Sequence, residues 1–597
     1  MPAAMTARLR LLHTHAGALA LIVLLTLVLC APIARHLSTA VPGDEGDNLF
    51  YVRSIWWMHH ALVDEGISPF VDRGAYFPEG RALARGEMTA SNTLPGVPLT
   101  AAFGPVATYN ILVLLSFVLS GWGTYFWVSH LTGRRSAGLV AAVIFTFLPY
   151  RFAHMGGHLP LVSTQWVPWL LWAFERFLAR RTVARASVMG LLGAGLGLSS
   201  WYYGYSAALM VPLYALWRIR TVPGVWRESS WWLGLGTAAA IVLALVMPFV
   251  LPLLALRDLG EMDRTLRHLA VWMLNPYDFF LPNLAHPWWG DAAAQWLPHQ
   301  ARGWEERGVA LGMVAMTAAV VALVCVRPRR RLWPLVGVWL ASALIALGPT
   351  LYFGDQQVRV PVSESVVSAA DHVASWFGAR MNDVRDEMRG ASDLPIPMPA
   401  FLLYMLVPFT SGMRVMSRFA MWTGLMTAAL AGWGISLLRD RVTARWGPRA
   451  STTFVTLVIA AIVVESLSTI PMTKLSPRPV DHWLRAHPEV TVVADLPVEE
   501  SERPMQDYWA TIHHKATIIS WNGDSFPPQT RWERTESMRP FPAPDSIAYL
   551  HALGTTHLLV TAARFPDWPS VQATLADNPT VTLVEAVDGV WIYALRR

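Results

Sequence analysis

Eleven apolar runs dominate the sequence, at 16–33, 106–130, 136–153, 161–179, 186–202, 203–218, 230–256, 306–326, 332–353, 416–438 and 451–471. Most approach the roughly 20 residues that one helix needs to cross a bilayer, which leaves a polytopic helix bundle as the natural fold. The connections between runs are not equivalent. Arginines collect in every second one: Arg134 and Arg135; Arg180, Arg181 and Arg185; Arg218, Arg220 and Arg227; Arg327 and Arg329 to Arg331; Arg439, Arg441, Arg445 and Arg449. The positive-inside rule then puts the N-terminus and these connections in the cytoplasm, in an inner (cytoplasmic) membrane of bacterial type. The long segments 37–105, 257–305 and 354–397, and everything after 471, face outward. Shorter Pro-flanked apolar stretches near 94–104 and 398–409 read as re-entrant or interfacial pieces.

Composition supports this class and excludes others. Hydrophobic residues make up 54% of the 597 residues and charged residues only 15%, too apolar for an ordinary soluble enzyme. The net charge of +6 comes from arginine clumps between apolar runs, not from a basic stripe with interleaved aromatics, so no nucleic-acid partner is expected. Cys30 and Cys325 both lie inside apolar runs, which argues against a disulfide framework or a thiolate metal site. Ser38-Thr39-Ala40 has the small residues of a signal-peptidase site, but the run before it is longer than a signal h-region and reads as an uncleaved first span.

From about residue 475 the pattern changes to acidic residues, His, Pro and alternating β-branched residues. Strands are expected at 491–495, 517–521, 557–561, 580–586 and 590–595, helices at 545–553 and 569–576, and a hairpin turn at Asp588-Gly589. The fold class is thus mainly α: a transmembrane part, 1–474, with an outer loop at 37–105, and a small extracytoplasmic α/β domain, 475–597.

Candidate chemistry lies on the outer side. Asp44, Glu45 and Asp47 cluster just after the first span. Residues 49–63, with Trp56 and Trp57, are expected to form an amphipathic interfacial helix, with Asp47 at its start. Asp44 or Asp47 is then either a helix N-cap or a general base for an incoming hydroxyl or amine. Arg151, His154 and His158 fall at the outer end of a span, where they can bind a phosphate or orient an acceptor. The two histidines are four apart, but Gly156-Gly157 opposes a regular helix there and no third ligand is evident, so no metal or other cofactor is assigned. Asp278 and His286 are a spare acid and a spare donor in a rigid Pro- and aromatic-rich loop. Arg414 and Arg418 are also four apart, suited to one helical face, and need an anionic partner: a lipid phosphate, or an outer carboxylate such as Asp44 or Glu79. The chain carries neither a Gly-rich phosphate loop nor a nucleotide-binding fingerprint.

The chain resembles the bacterial membrane glycosyltransferases of the GT-C superfamily, and among them YfhO-type proteins. The resemblance rests on Gly46-Asp47-Asn48-Leu49-Phe50 with Trp56-Trp57; Tyr76-Phe77-Pro78-Glu79-Gly80; Tyr109-Asn110; Pro149-Tyr150-Arg151 with Gly157-His158 and Trp166-Val167-Pro168; Leu281-Pro282-Asn283 with His286-Pro287; and Arg414 to Phe419. It covers roughly 40–440. It implies a GT-C-like bundle that moves a sugar from a polyprenyl-phosphate donor to a lipid, glycan or protein acceptor on the outer face, with inversion. Asp47 or Asp44 would be the base, and Glu79, Arg151, His154, His158, Arg414 and Arg418 would bind substrate. The alternatives are a flippase of lipid-linked saccharides and a non-catalytic envelope assembly protein.

Overall fold

The computed structural model describes the chain apart from residues 1, 85–87, 256–263, 298–302, 389–390, 500–502, 522–527 and 597. Parts of the expected outer loop 257–305 therefore lie outside the described residues. The protein is mainly helical, and each expected apolar run carries helix. Among the described residues, four helical segments are long and apolar enough to cross a membrane: Pro105–Thr132, Arg135–Met155, Ser229–Ala255 and Met416–Glu465. Shorter apolar helices include Val183–Ser199, Met313–Cys325 and Trp333–Ala346. Close packing here depends on small side chains. Gly432 and Gly434, on helix Ala420–Glu465, lie so near Ala137 and Ala318 that an added Cβ would stand 2.5 and 1.9 Å from their carbonyl oxygens. Small residues let membrane helices approach in this way. Helix Ala420–Glu465 is broken at Gly447, with φ +85°, followed by Pro448. Its second half places the Glu465 carboxylate on the backbone N–H groups of Met313 and Val314, capping helix Met313–Cys325.

The C-terminal part contains a five-stranded sheet in the order Ala516–Thr517, Val492–Leu496, His557–Thr561, Val590–Leu595, Val581–Val587. Its first three strands are parallel and the last two antiparallel. Asp588 and Gly589, both at positive φ, form the expected hairpin turn. The expected strand at 517–521 is only Ala516–Thr517, and Thr517 bonds the segment 74–77 at its other edge. Phe77 N–H donates to the Thr517 carbonyl at 3.0 Å, and Thr517 N–H to the Gly74 carbonyl at 2.9 Å.

That contact also corrects the interfacial helix. Helix Asp47–His59, continued by the π-helical turn His60–Asp64, is buried on every face from Asn48 to Met58. It packs against helices Ala90–Phe103, Pro105–Thr132 and Arg503–His513. A helix on a bilayer surface keeps a polar face in water; here the polar face is covered by the C-terminal part. Arg53 and Arg81 meet Asp72 and Asp507 there, with all four side chains at most 1% exposed. Arg53 Nε donates to Asp72 Oδ2 at 2.7 Å and Arg81 Nη1 to Asp507 Oδ2 at 2.8 Å. Burial alone would push the Asp72 carboxyl up, and the two guanidiniums instead hold it below its usual range.

One close approach sets the geometry just before helix Asp47–His59. Strand Ala40–Pro42 pairs antiparallel with Met472–Lys474, and Gly43 follows it at φ +88°. A Cβ on Gly43 would lie 2.0 Å from the Gly156 carbonyl oxygen. We expect Gly43→Ala to cost about 1–3 kcal/mol from backbone strain, with the steric clash added to it. The check is thermal unfolding beside Gly46→Ala, where an added Cβ meets nothing within 4 Å and a smaller change is expected.

Candidate functional site

Asp47 is the first residue of its helix and follows Gly46, which caps the helix without a side-chain hydrogen bond. Neither Asp44 nor Asp47 is the N-cap. Asn48 shapes the acidic turn instead. Its amide donates to the carbonyls of Pro42 and Asp44 at 2.9 and 2.8 Å, and its Oδ1 accepts from the backbone N–H groups of Gly46 and Leu49. Asp44 is exposed. The Asp47 side chain is 39% exposed and its two oxygens have different neighbours. Trp521 Nε1 donates to Oδ1 at 2.7 Å, and His158 Nε2 lies 3.8 Å from Oδ2.

His158 is delivered by the Gly156-Gly157 break. Helix Pro149–Met155 ends at Gly156, and His158 is the N-cap of the short helix Leu159–Val162. The break lets Asp47 lie close over this turn, its Cβ 3.8 Å from where a Gly157 Cβ would be. Burial holds the His158 imidazole below its usual pKa, with Glu306 opposing and Arg418 reinforcing that shift. His154 is fully buried, its ring 5.4 Å from that of His158 and 4.3 Å from that of Tyr150.

Glu306, in the short helix Trp304–Arg307, joins the group from the far side. Its Oε2 is 3.8 Å from His154 Nε2, and Arg418 Nε donates to both its oxygens at 3.1 and 3.2 Å. Burial would raise the Glu306 carboxyl; Arg418 first, and His154 after it, outweigh that and hold it at about 2. The Arg418 guanidinium also lies over the Tyr202 ring, 4.0 Å from its centroid. Asp47, His158, His154, Glu306 and Arg418 thus form one continuous row. One atom from each of His154, His158 and Glu306 lies within 4.8 Å of the others, so Glu306 completes the three-ligand set that the two histidines lack in the sequence. Both His154 ring nitrogens and His158 Nδ1 are buried without a hydrogen-bond partner. Two imidazoles and a carboxylate suit a divalent cation such as zinc, and Glu306 would then have to share itself with Arg418.

Other expected site residues lie elsewhere. Arg151 is buried, its terminal nitrogens donating to the Thr146 and Val162 carbonyls and to Ser116 Oγ, with Phe117 4.0 Å beneath it. It braces the turn that presents the histidines and faces no open site. Glu79 pairs with Arg534, whose guanidinium also donates to the Phe77 carbonyl, so it ties the segment 76–80 to helix Pro528–Met538. Arg414 and Arg418 do not share a helical face. Arg418 belongs to the 3-10 turn Met416–Phe419, whereas Arg414 precedes it, is exposed, and donates its backbone N–H to the Tyr202 hydroxyl at 3.3 Å. The carboxylate on Arg418 is Glu306, not Asp44 or Glu79.

Asp278 and His286 are structural. His286 stacks on Trp289 with ring centroids 3.3 Å apart, and its Nε2 lies 2.9 Å from the Val464 carbonyl. Asp278 is fully buried and accepts the Asn275 backbone N–H at 2.8 Å. Burial pushes its carboxyl up to about 6. A carboxyl raised on folding contributes its full stability below the unfolded value of 3.8 and loses it as pH rises through about 6. Asp278→Asn keeps the accepting oxygen and removes the buried charge. We expect it to stabilise the protein by roughly 2 kcal/mol at pH 8 and to make no difference below pH 4, as read by unfolding at the two pH values.

Residues 100–375 match a family model described as a domain of unknown function, DUF6311. A search of curated proteins gives no match. Among solved structures, the chain is similar to the archaeal oligosaccharyltransferase AglB from Archaeoglobus fulgidus in complex with an inhibitory peptide and a dolichol-phosphate, at 12% identity, over 98% of this chain and 74% of that one, with a TM-score of 0.40. The Archaeoglobus fulgidus oligosaccharyltransferase tethered to an acceptor peptide gives 12% identity, the same coverage and a TM-score of 0.42. ArnT from Cupriavidus metallidurans bound to undecaprenyl phosphate gives 11% identity over 97% of this chain and 98% of that one, with a TM-score of 0.34.

Proposed function

We propose that this chain is an integral membrane glycosyltransferase of GT-C type, moving a sugar from a polyprenyl-phosphate-linked donor to an acceptor on the outer side of the membrane. The observation that carries the reading is the row from Asp47 to Arg418: an accessible carboxylate, held by Trp521 and 3.8 Å from His158, stands at one end and a guanidinium at the other. The sequence resemblance supplies the substrate class. In this reading Asp47 accepts the proton of the acceptor as its oxygen or nitrogen attacks the anomeric carbon. The carbon–oxygen bond to the phosphate breaks with inversion, and the departing phosphate takes its negative charge onto Arg418. Neutral His158 holds the acceptor beside Asp47. A divalent cation on His154, His158 and Glu306, if bound, would supply further charge stabilisation to the leaving phosphate.

The test is reconstitution in vesicles with a panel of polyprenyl-phosphate-linked sugars, following release of polyprenyl phosphate and movement of the lipid across the bilayer. Sugar transfer with release is expected. Movement of the intact lipid-linked saccharide without release would replace this reading with that of a flippase.

A further inference from the structure

Helix Trp201–Ile219 connects the candidate site to a second polar place. Tyr202, near its start, carries Arg418, while Arg218, near its end, lies about 24 Å away by the 1.5 Å rise per residue. At that far end a cavity of about 140 Å³ opens between Arg218 and Arg331, with Tyr214, Leu131, Leu335 and Trp433 among its walls. Arg218 is held in a fixed pose. Its Nε donates to Glu175 Oε1 at 2.6 Å, the Tyr214 hydroxyl donates to the same oxygen at 2.6 Å, and Glu175 is 2% exposed. Arg331, the last residue of the 3-10 turn Arg329–Arg331, is exposed and has no ion pair among the described residues.

The charge balance of this end calls for an anion. Glu175, Glu228 and Asp440 each already hold one arginine: Arg218, Arg181 and Arg134. Arg327, Arg329 and Arg330 are exposed too, in the same short segment as the cavity-lining Arg331. The walls indicate the source of the anion. Two guanidiniums together with leucine and tryptophan walls match a phosphate joined to a lipid body better than a free ion. Trp217 and Trp333, stacked with centroids 5.7 Å apart, and Arg220 over Trp217 at 4.5 Å, form the aromatic and basic rim expected at a bilayer surface.

We propose that the pocket between Arg218 and Arg331 binds the phosphodiester headgroup of an anionic phospholipid from the leaflet opposite the Asp47 site. Arg218, whose Nε and Nη2 are taken by Glu175 and whose Nη1 donates to Thr221, lines one face of the phosphate site with its remaining N–H groups, and Arg331 closes over the other. The inference is independent of any transferase activity.

The full-length protein in vesicles of equal parts phosphatidylglycerol and phosphatidylcholine, extracted gently and weighed with its retained lipids by native mass spectrometry, provides the test. Wild type should retain phosphatidylglycerol in preference to phosphatidylcholine. Arg331→Gln should lower that retention about tenfold with an unchanged unfolding temperature, and Arg441→Gln, at an exposed arginine outside the cavity lining, should leave it as in wild type. Equal retention of the two lipids, undiminished retention in Arg331→Gln, or an equal loss in Arg441→Gln overturns the proposal. Displacement of the bound lipid by excess inorganic phosphate alone also overturns it, in favour of a free-phosphate site.

Discussion

Replacing Asp47 with Asn should lower sugar transfer by roughly 10²- to 10⁴-fold while leaving the protein folded, the range that loss of a positioned general base produces. The substitution is close to isosteric. Its Oδ1 can still accept from Trp521 Nε1, which holds Asp47 at 2.7 Å, and the half-exposed side chain leaves no buried charge behind. The defect should therefore fall on kcat, with KM for the lipid-linked donor little changed. Asp44→Asn is the matched control: Asp44 is exposed, and Asn48 donates to its backbone carbonyl, so transfer should stay within about threefold of wild type. Transfer retained in Asp47→Asn and lost in Asp44→Asn would move the base to Asp44.

The largest effect on stability should come from Asp507. Asp507→Ala leaves Arg53 and Arg81 in a fully buried setting with Asp72 as the remaining carboxylate of the group. Breaking a buried pair by removing one partner costs about 3–5 kcal/mol, because the unmatched charge stays in a low dielectric. Ser520 Oγ, which donates to Asp507, loses its acceptor as well. Since the network joins helix Asp47–His59 to helix Arg503–His513, the loss should appear both as a lower unfolding temperature and as faster proteolysis of the C-terminal part. Arg359→Ala, which breaks a half-exposed pair with Asp393, should cost less than about 1 kcal/mol.

Local features were readable from the residues alone, and features made by distant partners were not. The apolar runs marked helices because burial in lipid demands continuous apolar stretches, and β-branched alternation marked the strands Val581–Val587 and Val590–Leu595 on either side of the Asp588-Gly589 turn. Helix Asp47–His59 was located by its pattern, but its environment was not. The partners of Arg53, Asp72 and Asp507, come from a short strand and a helix 19 and 454 positions away in the chain. The pairing of Asp47 with His158 depends on the contact of Gly43 with Gly156; in the sequence Gly156-Gly157 signified only a helix break. Glu306 was missed because Glu305-Glu306-Arg307 reads as the polar edge of an apolar run, when it is a separate short helix turned onto Arg418. Trp521 carried no local signal at all. Arg418 meets a carboxylate, Glu306, but helical spacing misled, since the segment is a 3-10 turn preceded by extended backbone.

The most direct test of the central claim compares lipid-linked and surface glycans in cells that carry the wild-type chain, no chain, or the Asp47→Asn variant at equal membrane abundance. The account predicts that a polyprenyl-phosphate-linked sugar accumulates and its glycan product disappears both without the chain and with Asp47→Asn. Glycan profiles identical in all three would contradict it.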